Sequence, residues 1–345
     1  MSGGIDSSVA AALLVDQDIE VIGFTLHMFK EGSRCCSIED VNRARRVCDH
    51  LGVRHYVLNV MDRFMHEVVG PFTDAYAAGR TPNPCIYCNR LFKFGVVLER
   101  ALQLGCSHMA TGHYVRVDRD DAGYYFLRCG QDANKDQSYF LHRLSQEQLA
   151  HAMFPLGHLT KPDVRKLARE KRLPTEGARE TADLCFITGK GPAPLIEQFH
   201  PEVAREGAIV TSEGKELGRH GGIHRFTRGQ REGLGIATGE KMYVKELRAS
   251  DNVVVVGRRD EIMSRTFQVH DLFWSRDMAP KDGSKISVRT RYRQKAVSAI
   301  VTKAEGTGAR DILTVHLDEP VFAITPGQAA VFYDGDAVLG GGWIC

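Results

Sequence analysis

No apolar run in this 345-residue chain approaches the 18 or more residues that a membrane-crossing helix needs. A charged-then-apolar leader is missing at its front, so the cytoplasm is the expected address and no membrane partner is expected. Excess charge is nearly absent too. A net charge of +2 does not by itself imply a nucleic-acid partner, and any basic surface must come from local clustering. The GxxxxGK[ST] phosphate loop does not occur, and Gly233-Leu-Gly-Ile-Ala-Thr-Gly239 misses the dinucleotide-binding spacing. There is no internal repeat and no low-complexity tract. The nine cysteines are an odd number in a large chain, which argues against a secreted disulfide framework and towards metal or redox chemistry. Two groups are tight, Cys35-Cys36 and Cys85-x-x-Cys88.

With 43% hydrophobic and 26% charged residues, the composition is that of a soluble globular protein of two or three domains. Residues 1 to about 190 alternate strand-like and helix-like segments and predict an α/β unit with a parallel sheet. Strands are expected at 19–26, 55–59 and 108–111. Helices are expected from about Ser37 to Leu51, where Ser37-Ile-Glu-Asp40 has capping-box spacing, after Asp62, and from about Asn89 to Leu104. After a linker at 189–194, short β-branched stretches at 251–256, 266–270, 285–289, 312–316 and 329–333 predict a small barrel or sandwich. The expected division is 1–190, a small central domain at 191–260, and a β-barrel at 261–345.

The segment Met1-Ser-Gly-Gly-Ile-Asp-Ser7 reads as a pyrophosphate-holding loop. Gly3 and Gly4 allow turn conformations and close backbone approach to a ligand. The apolar run after Ser8 opens a helix whose free N–H groups form an anion site. A carboxylate beside phosphates is repulsive, so Asp6 makes sense if it helps hold Mg²⁺ between them. Such a loop should follow a strand, and a strand upstream of Met1 is expected to be missing.

A second block is Thr81-Pro-Asn-Pro-Cys-Ile-Tyr-Cys-Asn-Arg90 with Lys93-Phe94. Its prolines hold the approach extended, and the thiols fall where a helix begins, which predicts a more acidic and more nucleophilic Cys88. A zinc half-site or a buried thiol pair is the plainer reading of an isolated CxxC, but a second ligand pair of similar spacing does not occur. A lone thiol, Cys185, sits in Ala182-Asp-Leu-Cys-Phe-Ile187.

The loop resembles the SGGxDS signature of the PP-loop ATP pyrophosphatase group, which splits ATP between its α and β phosphates and adenylates a carbonyl oxygen. Together with CCSIEDVNRARRV, TPNPCIYCNRLFKF, ATGHYVR, NKDQSYFL, FPLGHLTKPDVRKLA, LCFI, GQREGLGI and TPGQAAVFYDGDAVLGGGWI, the chain closely resembles the bacterial tRNA-specific 2-thiouridylase (tRNA-uridine 2-sulfurtransferase) family. That resemblance implies ATP on Ser2, Gly3, Gly4, Ile5, Asp6 and Ser7, with Leu26 and Gly112 lining the nucleotide. It implies adenylation of O2 of the wobble uridine and attack on C2 by a persulfide on Cys185. Cys88 would then release the sulfur, leaving a Cys88–Cys185 disulfide. The implied partners are the anticodon arm of tRNA and a protein donating persulfide or sulfide sulfur. Asn83, Pro84 and Cys85 would meet the flipped base, His113, Lys135, Asp136 and Gln137 the anticodon arm, and Arg291, Tyr292 and Gln328 the tRNA body.

Two departures bear on the thiols. Many relatives carry Asp where this chain has Cys85, and the usual Ser-Gln before the second cysteine is here Thr181-Ala182. Cys85, Cys88 and Cys185 could instead hold a [4Fe–4S] cluster. The persulfide route is preferred, because a CxxC with one distant thiol lacks the four-cysteine pattern of ordinary clusters. Cys48, Cys106, Cys129 and Cys345 read as structural, and Cys35-Cys36 as packing or loop structure. Lys285, Arg289, Arg291, Arg293 and Lys295 are spaced so that one extended strand would carry five cations on one face, attractive to phosphates. The competing functions are a PP-loop amidating ligase, for which a glutaminase domain is not evident, and a non-catalytic RNA-binding relative.

Overall fold

The structure, a computed structural model, describes residues 1–29, 38–175, 184–187, 189, 191–276, 279–303 and 312–345. The expectations for Ser37, Cys35-Cys36 and Thr181-Ala182 lie outside the described residues. The fold is α/β at the front, with a small central sheet and a closed barrel behind.

Helix α1 (Ile5–Val15) starts directly after the glycines and buries Val9, Ala10, Ala11, Ala12 and Leu14. Small side chains let the helix lie close to its neighbours, where it packs with Leu156, Val164 and Leu173. Strand β1 (Ile22–His27) pairs in parallel with β2 (Arg54–Asn59), Leu26 opposite Leu58, through the crossover helix α2 (Ile38–Leu51). Strand β3 (Met109–Ala110) pairs in parallel with a strand at Ala152–Met153. Among the described residues these two pairs are not joined: each keeps an unpaired edge, and β1 and β3 both line one cavity of about 1790 Å³. The Met1 ammonium donates to the Phe24 carbonyl, and Thr25 Oγ1 donates to the Met1 carbonyl at 2.7 Å. Met1 thus lies beside β1.

The segment expected as a helix after Asp62 is wound in three ways, α over Met61–Phe64, π over Met65–Val69 and α over Gly70–Ala77. The helix expected to begin near Asn89 starts instead at Pro84, whose missing N–H costs nothing in a first turn, with Asn83 accepting from the Cys85 N–H at 3.2 Å. It then runs as a ten-residue π-helix over Cys88–Val97 before returning to α over Leu98–Gln103. Cys88 is therefore one turn inside the helical stretch, and Cys85 takes the N-terminal position expected of Cys88.

A hairpin of β4 (Val115–Arg119) and β5 (Tyr125–Cys129) leaves the α/β region and adds to the C-terminal barrel. The segment expected as a linker already enters a helix at Ala193. The central sheet has four strands around Ile209, Val244, Val254 and Val256. The barrel runs in the order Met263–Trp274, Leu313–Phe322, Val297–Lys303, Ser284–Arg289, Ala329–Asp334, Ala337–Ile344, and the first and last strands close it. Ile86, Phe94 and Tyr139 of the front region share one core with Ala329, Val331, Tyr333 and Trp343 of the barrel. That shared apolar core fixes the barrel against the cavity wall.

The five-cation face does not form. The strand ends at Arg289, and residues 290–294 turn away, so the two-residue alternation is lost. Lys285 pairs with Asp318 at 3.3 Å, Arg289 pairs with the buried Asp136, and the Arg291 guanidinium is spent on the Phe322 and Ala323 carbonyls.

Candidate active site

Gly4 caps α1 with no side-chain bond, so the first-turn N–H groups face outward as an anion site needs. Gly3 has φ +69, and a Cβ there would sit 2.7 Å from the Asp40 carbonyl, so only glycine lets the loop lie on α2. Ser2 and Ser7 hydroxyls are 3.1 Å apart across the loop. Gly112 holds it from behind: a Cβ there would fall 2.6 Å from Asp6 C and 2.7 Å from Ser7 N. Ser2, Gly4, Ile5, Asp6, Ser7, Leu26 and Gly112 all line the large cavity.

Asp6 has partners that the sequence reading missed. Lys161 Nζ donates to Asp6 Oδ1 at 2.6 Å, and Tyr114 Oη donates to the same oxygen at 2.8 Å. Lys161 stands at the start of helix α3 (Lys161–Glu170), after a Thr160–Asp163 capping box, and its side chain is only 6% exposed. A buried lysine is costly unless paired, and here the pair is the loop carboxylate. The capping box Thr160-Lys-Pro-Asp163 was legible; its destination 155 residues away was not. One oxygen of Asp6 carries both bonds, and the side chain is 36% exposed on the cavity, which fits a carboxylate able to reach a phosphate-bound Mg²⁺.

Cys85, Cys88 and Cys185 line the same cavity as the loop, together with Asn83 and Pro84. Cys88 is buried and Cys185 half-buried against one core with Phe64, Phe72, Phe92 and Phe186. Burial pushes the Cys48 and Cys129 thiols up, which suits the structural role expected of them, whereas Cys345 is exposed.

His113 is buried and lines the cavity, with Nδ1 2.7 Å from Thr111 Oγ1 and Nε2 3.4 Å from Lys93 Nζ. Burial first and the Lys93 charge second hold its pKa well below the usual 6.5, so the ring is neutral. Lys135, Gln137, Tyr292 and Gln328 also line the cavity. Gln328 donates to the Thr81 carbonyl at 2.8 Å, and Tyr292 lies 4.3 Å from Phe140, ring to ring. Two expected contacts are placed elsewhere. Both oxygens of Asp136 are used by Gly130, Ser138 and Arg289 in the buried joint to the barrel. Arg291 lies beside a separate small cavity with Pro320 and Val321.

Residues 1–189 match the family description "tRNA methyl transferase HUP domain", 195–258 "tRNA methyl transferase PRC-barrel domain" and 264–344 "Aminomethyltransferase beta-barrel domain". The chain is 44% identical over 362 residues to the tRNA-specific 2-thiouridylase MnmA of Solibacter usitatus (strain Ellin6076), covering 100% of this chain and 97% of that protein. It is 43% identical over 355 residues to the tRNA-specific 2-thiouridylase MnmA of Carboxydothermus hydrogenoformans (strain ATCC BAA-161 / DSM 6008 / Z-2901), with 100% and 96% covered. The chain belongs to the tRNA-specific 2-thiouridylase family. Among solved structures, the U34-tRNA thiolase NcsA from Methanococcus maripaludis with its [4Fe-4S] cluster aligns over 59% of this chain and 64% of that one. Its TM-score of 0.36 and 16% identity are too low for that cluster to be transferred to a 2-thiouridylase.

Among the described residues, no three His, Cys, Asp or Glu side chains are grouped so as to hold a metal ion. The three thiols line one cavity. Among the described residues, no helix is long and apolar enough to cross a membrane.

Proposed function

We propose that this protein converts the wobble uridine of tRNA to 2-thiouridine by adenylating O2 and replacing it with a cysteine-borne sulfur. The observation that carries this reading is a single cavity lined by the phosphate loop, the CxxC and Cys185, with polar and aromatic groups at its rim. The phosphates of ATP would lie on the first-turn N–H groups of α1, where Asp6 would hold a Mg²⁺ ion that would supply charge neutralisation. Asn83, Pro84, His113, Lys135, Gln137, Tyr292 and Gln328 hold the extruded base and its arm. Asp136 serves the joint to the barrel, and Arg291 the turn at Phe322–Ala323.

Uridine O2 displaces pyrophosphate and bonds to the α-phosphorus. The terminal sulfur of a Cys185 persulfide, loaded by a donor protein, attacks C2, and AMP leaves with the former O2. Cys88 thiolate then attacks Cys185 Sγ. The sulfur–sulfur bond to the base breaks, its electron pair becomes the C2 thiocarbonyl, and a Cys88–Cys185 disulfide remains for a dithiol reductant to reset. Cys85 is a bystander on this route. The division of labour is 1–190 for catalysis, 191–260 as a spacer, and 261–345 for the RNA-facing wall.

The test is nucleoside mass spectrometry of tRNA incubated with MgATP and a persulfide donor, alongside pyrophosphate release. Cys88→Ala and Cys185→Ala should release pyrophosphate yet form no 2-thiouridine, and Cys85→Ala should form it. Protein reconstituted without oxygen that binds stoichiometric iron and sulfide, and loses both with activity in Cys85→Ala, would replace the persulfide route by a cluster.

A further inference from the structure

Lys93 is a cation with no part in the mechanism above. Its one hydrogen-bonding partner among the described residues is His113 Nε2 at 3.4 Å, and that ring is neutral. An ammonium that donates to Nε2 makes that nitrogen the acceptor. Nδ1 then carries the proton and gives it to Thr111 Oγ1 at 2.7 Å. The ring itself packs against the touching pair Phe94 and Phe154, with centroids 6.2 and 6.4 Å away. The result is a lysine steered by a fixed imidazole, half-buried at the wall of the cavity, with its charge uncompensated by a carboxylate among the described residues.

Its placement follows from the π winding. In an α-helix, residue 93 would point about 140° away from residue 88. The i→i+5 ladder of Cys88–Val97 instead brings residues five apart towards one face, so Cys88 and Lys93 both reach the cavity. On its other side, Lys93 touches His113, whose neighbour Gly112 is seated on the backbone of Asp6 and Ser7. The ammonium therefore faces the cavity that the phosphate loop and the thiol also line, where an adenylated base has to lie.

We infer that Lys93 is a catalytic cation holding the α-phosphate of the nucleotide, first as ATP, then as the uridine adenylate, and last as the departing AMP. This rests on the adenylation reading above. Negative charge on the α-phosphoryl oxygens persists through all three states, and a fixed cation in a partly dried cavity needs no reorganisation to meet it. The partner could also be a phosphate of the tRNA backbone; position beside the nucleotide loop favours the α-phosphate.

The experiment compares AMP and adenosine binding to the full chain by calorimetry, without tRNA, in wild type, Lys93→Gln and Lys93→Arg. Adenosine lacks only the phosphate, so the ratio of the two affinities isolates it. Wild type should prefer AMP at least about tenfold. Lys93→Gln should cut the ratio about tenfold, with adenosine affinity and melting temperature unchanged, and Lys93→Arg should keep most of it. Single-turnover pyrophosphate release should fall by about a hundredfold in Lys93→Gln. A ratio unchanged in Lys93→Gln overturns the inference. If the salt dependence of tRNA binding then also flattens by about one unit, the lysine meets the RNA backbone instead. Wild type without AMP preference but with pyrophosphate release overturns this inference alone. Wild type with neither overturns the adenylation reading as well.

Discussion

Removing the Asp6 carboxylate should cost stability as well as activity, because of what it leaves behind. Lys161 is 6% exposed and its ammonium is bonded to Asp6 at 2.6 Å. Breaking a buried pair by deleting one partner costs about 3–5 kcal/mol. Asp6 is 36% exposed on the cavity, so water can partly solvate the stranded ammonium, and about 1–3 kcal/mol is the fair expectation for Asp6→Ala. For a domain of this size that is about 2–4 °C of melting temperature per kcal/mol. Lys161→Met keeps the length of the side chain and removes the charge. Alone it should cost less than about 1 kcal/mol, since Tyr114 Oη still donates to Asp6 and water reaches the rest. The decisive species is the double variant. With no charge left to bury, it should melt above Asp6→Ala, a coupling of about 1–2 kcal/mol. Thermal unfolding gives the cycle, and pyrophosphate release with MgATP and tRNA gives the function, which should be lost in both variants that lack Asp6. Strictly additive melting shifts would show that the pair does not hold the loop. Pyrophosphate release at the wild-type rate in Asp6→Ala would remove Asp6 from the mechanism.

Gly112→Ala puts a Cβ 2.6 Å from Asp6 C, backbone that cannot swing aside, so the loop must shift by nearly 1 Å and pyrophosphate release should fall about a hundredfold; a rate within threefold of wild type would refute the close seat. His142 is buried with its pKa lowered to about 3 by burial, so its contribution to stability is complete above the unfolded value near 6.5 and is lost as pH falls towards 3. Urea midpoints between pH 6 and 4 should therefore fall less steeply in His142→Leu than in wild type, and equal slopes would show that the ring is hydrated in the native protein. Arg291→Ala should lower the melting temperature of the barrel and leave the salt dependence of tRNA binding unchanged, since its guanidinium is bonded to the Phe322 and Ala323 carbonyls; a slope flattened by about one unit would return Arg291 to the RNA face.

The sequence by itself determined where many of the helices and strands lie, the phosphate loop, the thiols and the family. These are local signals: glycines before an apolar helix, β-branched runs between turns, prolines before a helix start. Each works through neighbours in the chain, so each is visible in a window of ten residues. Only the tertiary structure decided which charges meet. Asp136 and Arg289 lie 153 residues apart and are consumed by one another, and Lys161 reaches Asp6 across 155. Spacing cannot report such a pairing, because it depends on where the barrel docks, and the docking depends on a core shared by Phe94, Tyr139 and Trp343. The five-cation stripe failed for the same reason: alternation holds only while the strand continues, and this strand stops at Arg289, where a buried carboxylate takes the guanidinium. The π winding was equally illegible. An i→i+5 ladder has no composition of its own and survives where packing on both faces, here Phe92 and Phe94 at 0% and 1% exposure, outweighs the better hydrogen bonds of an α-helix.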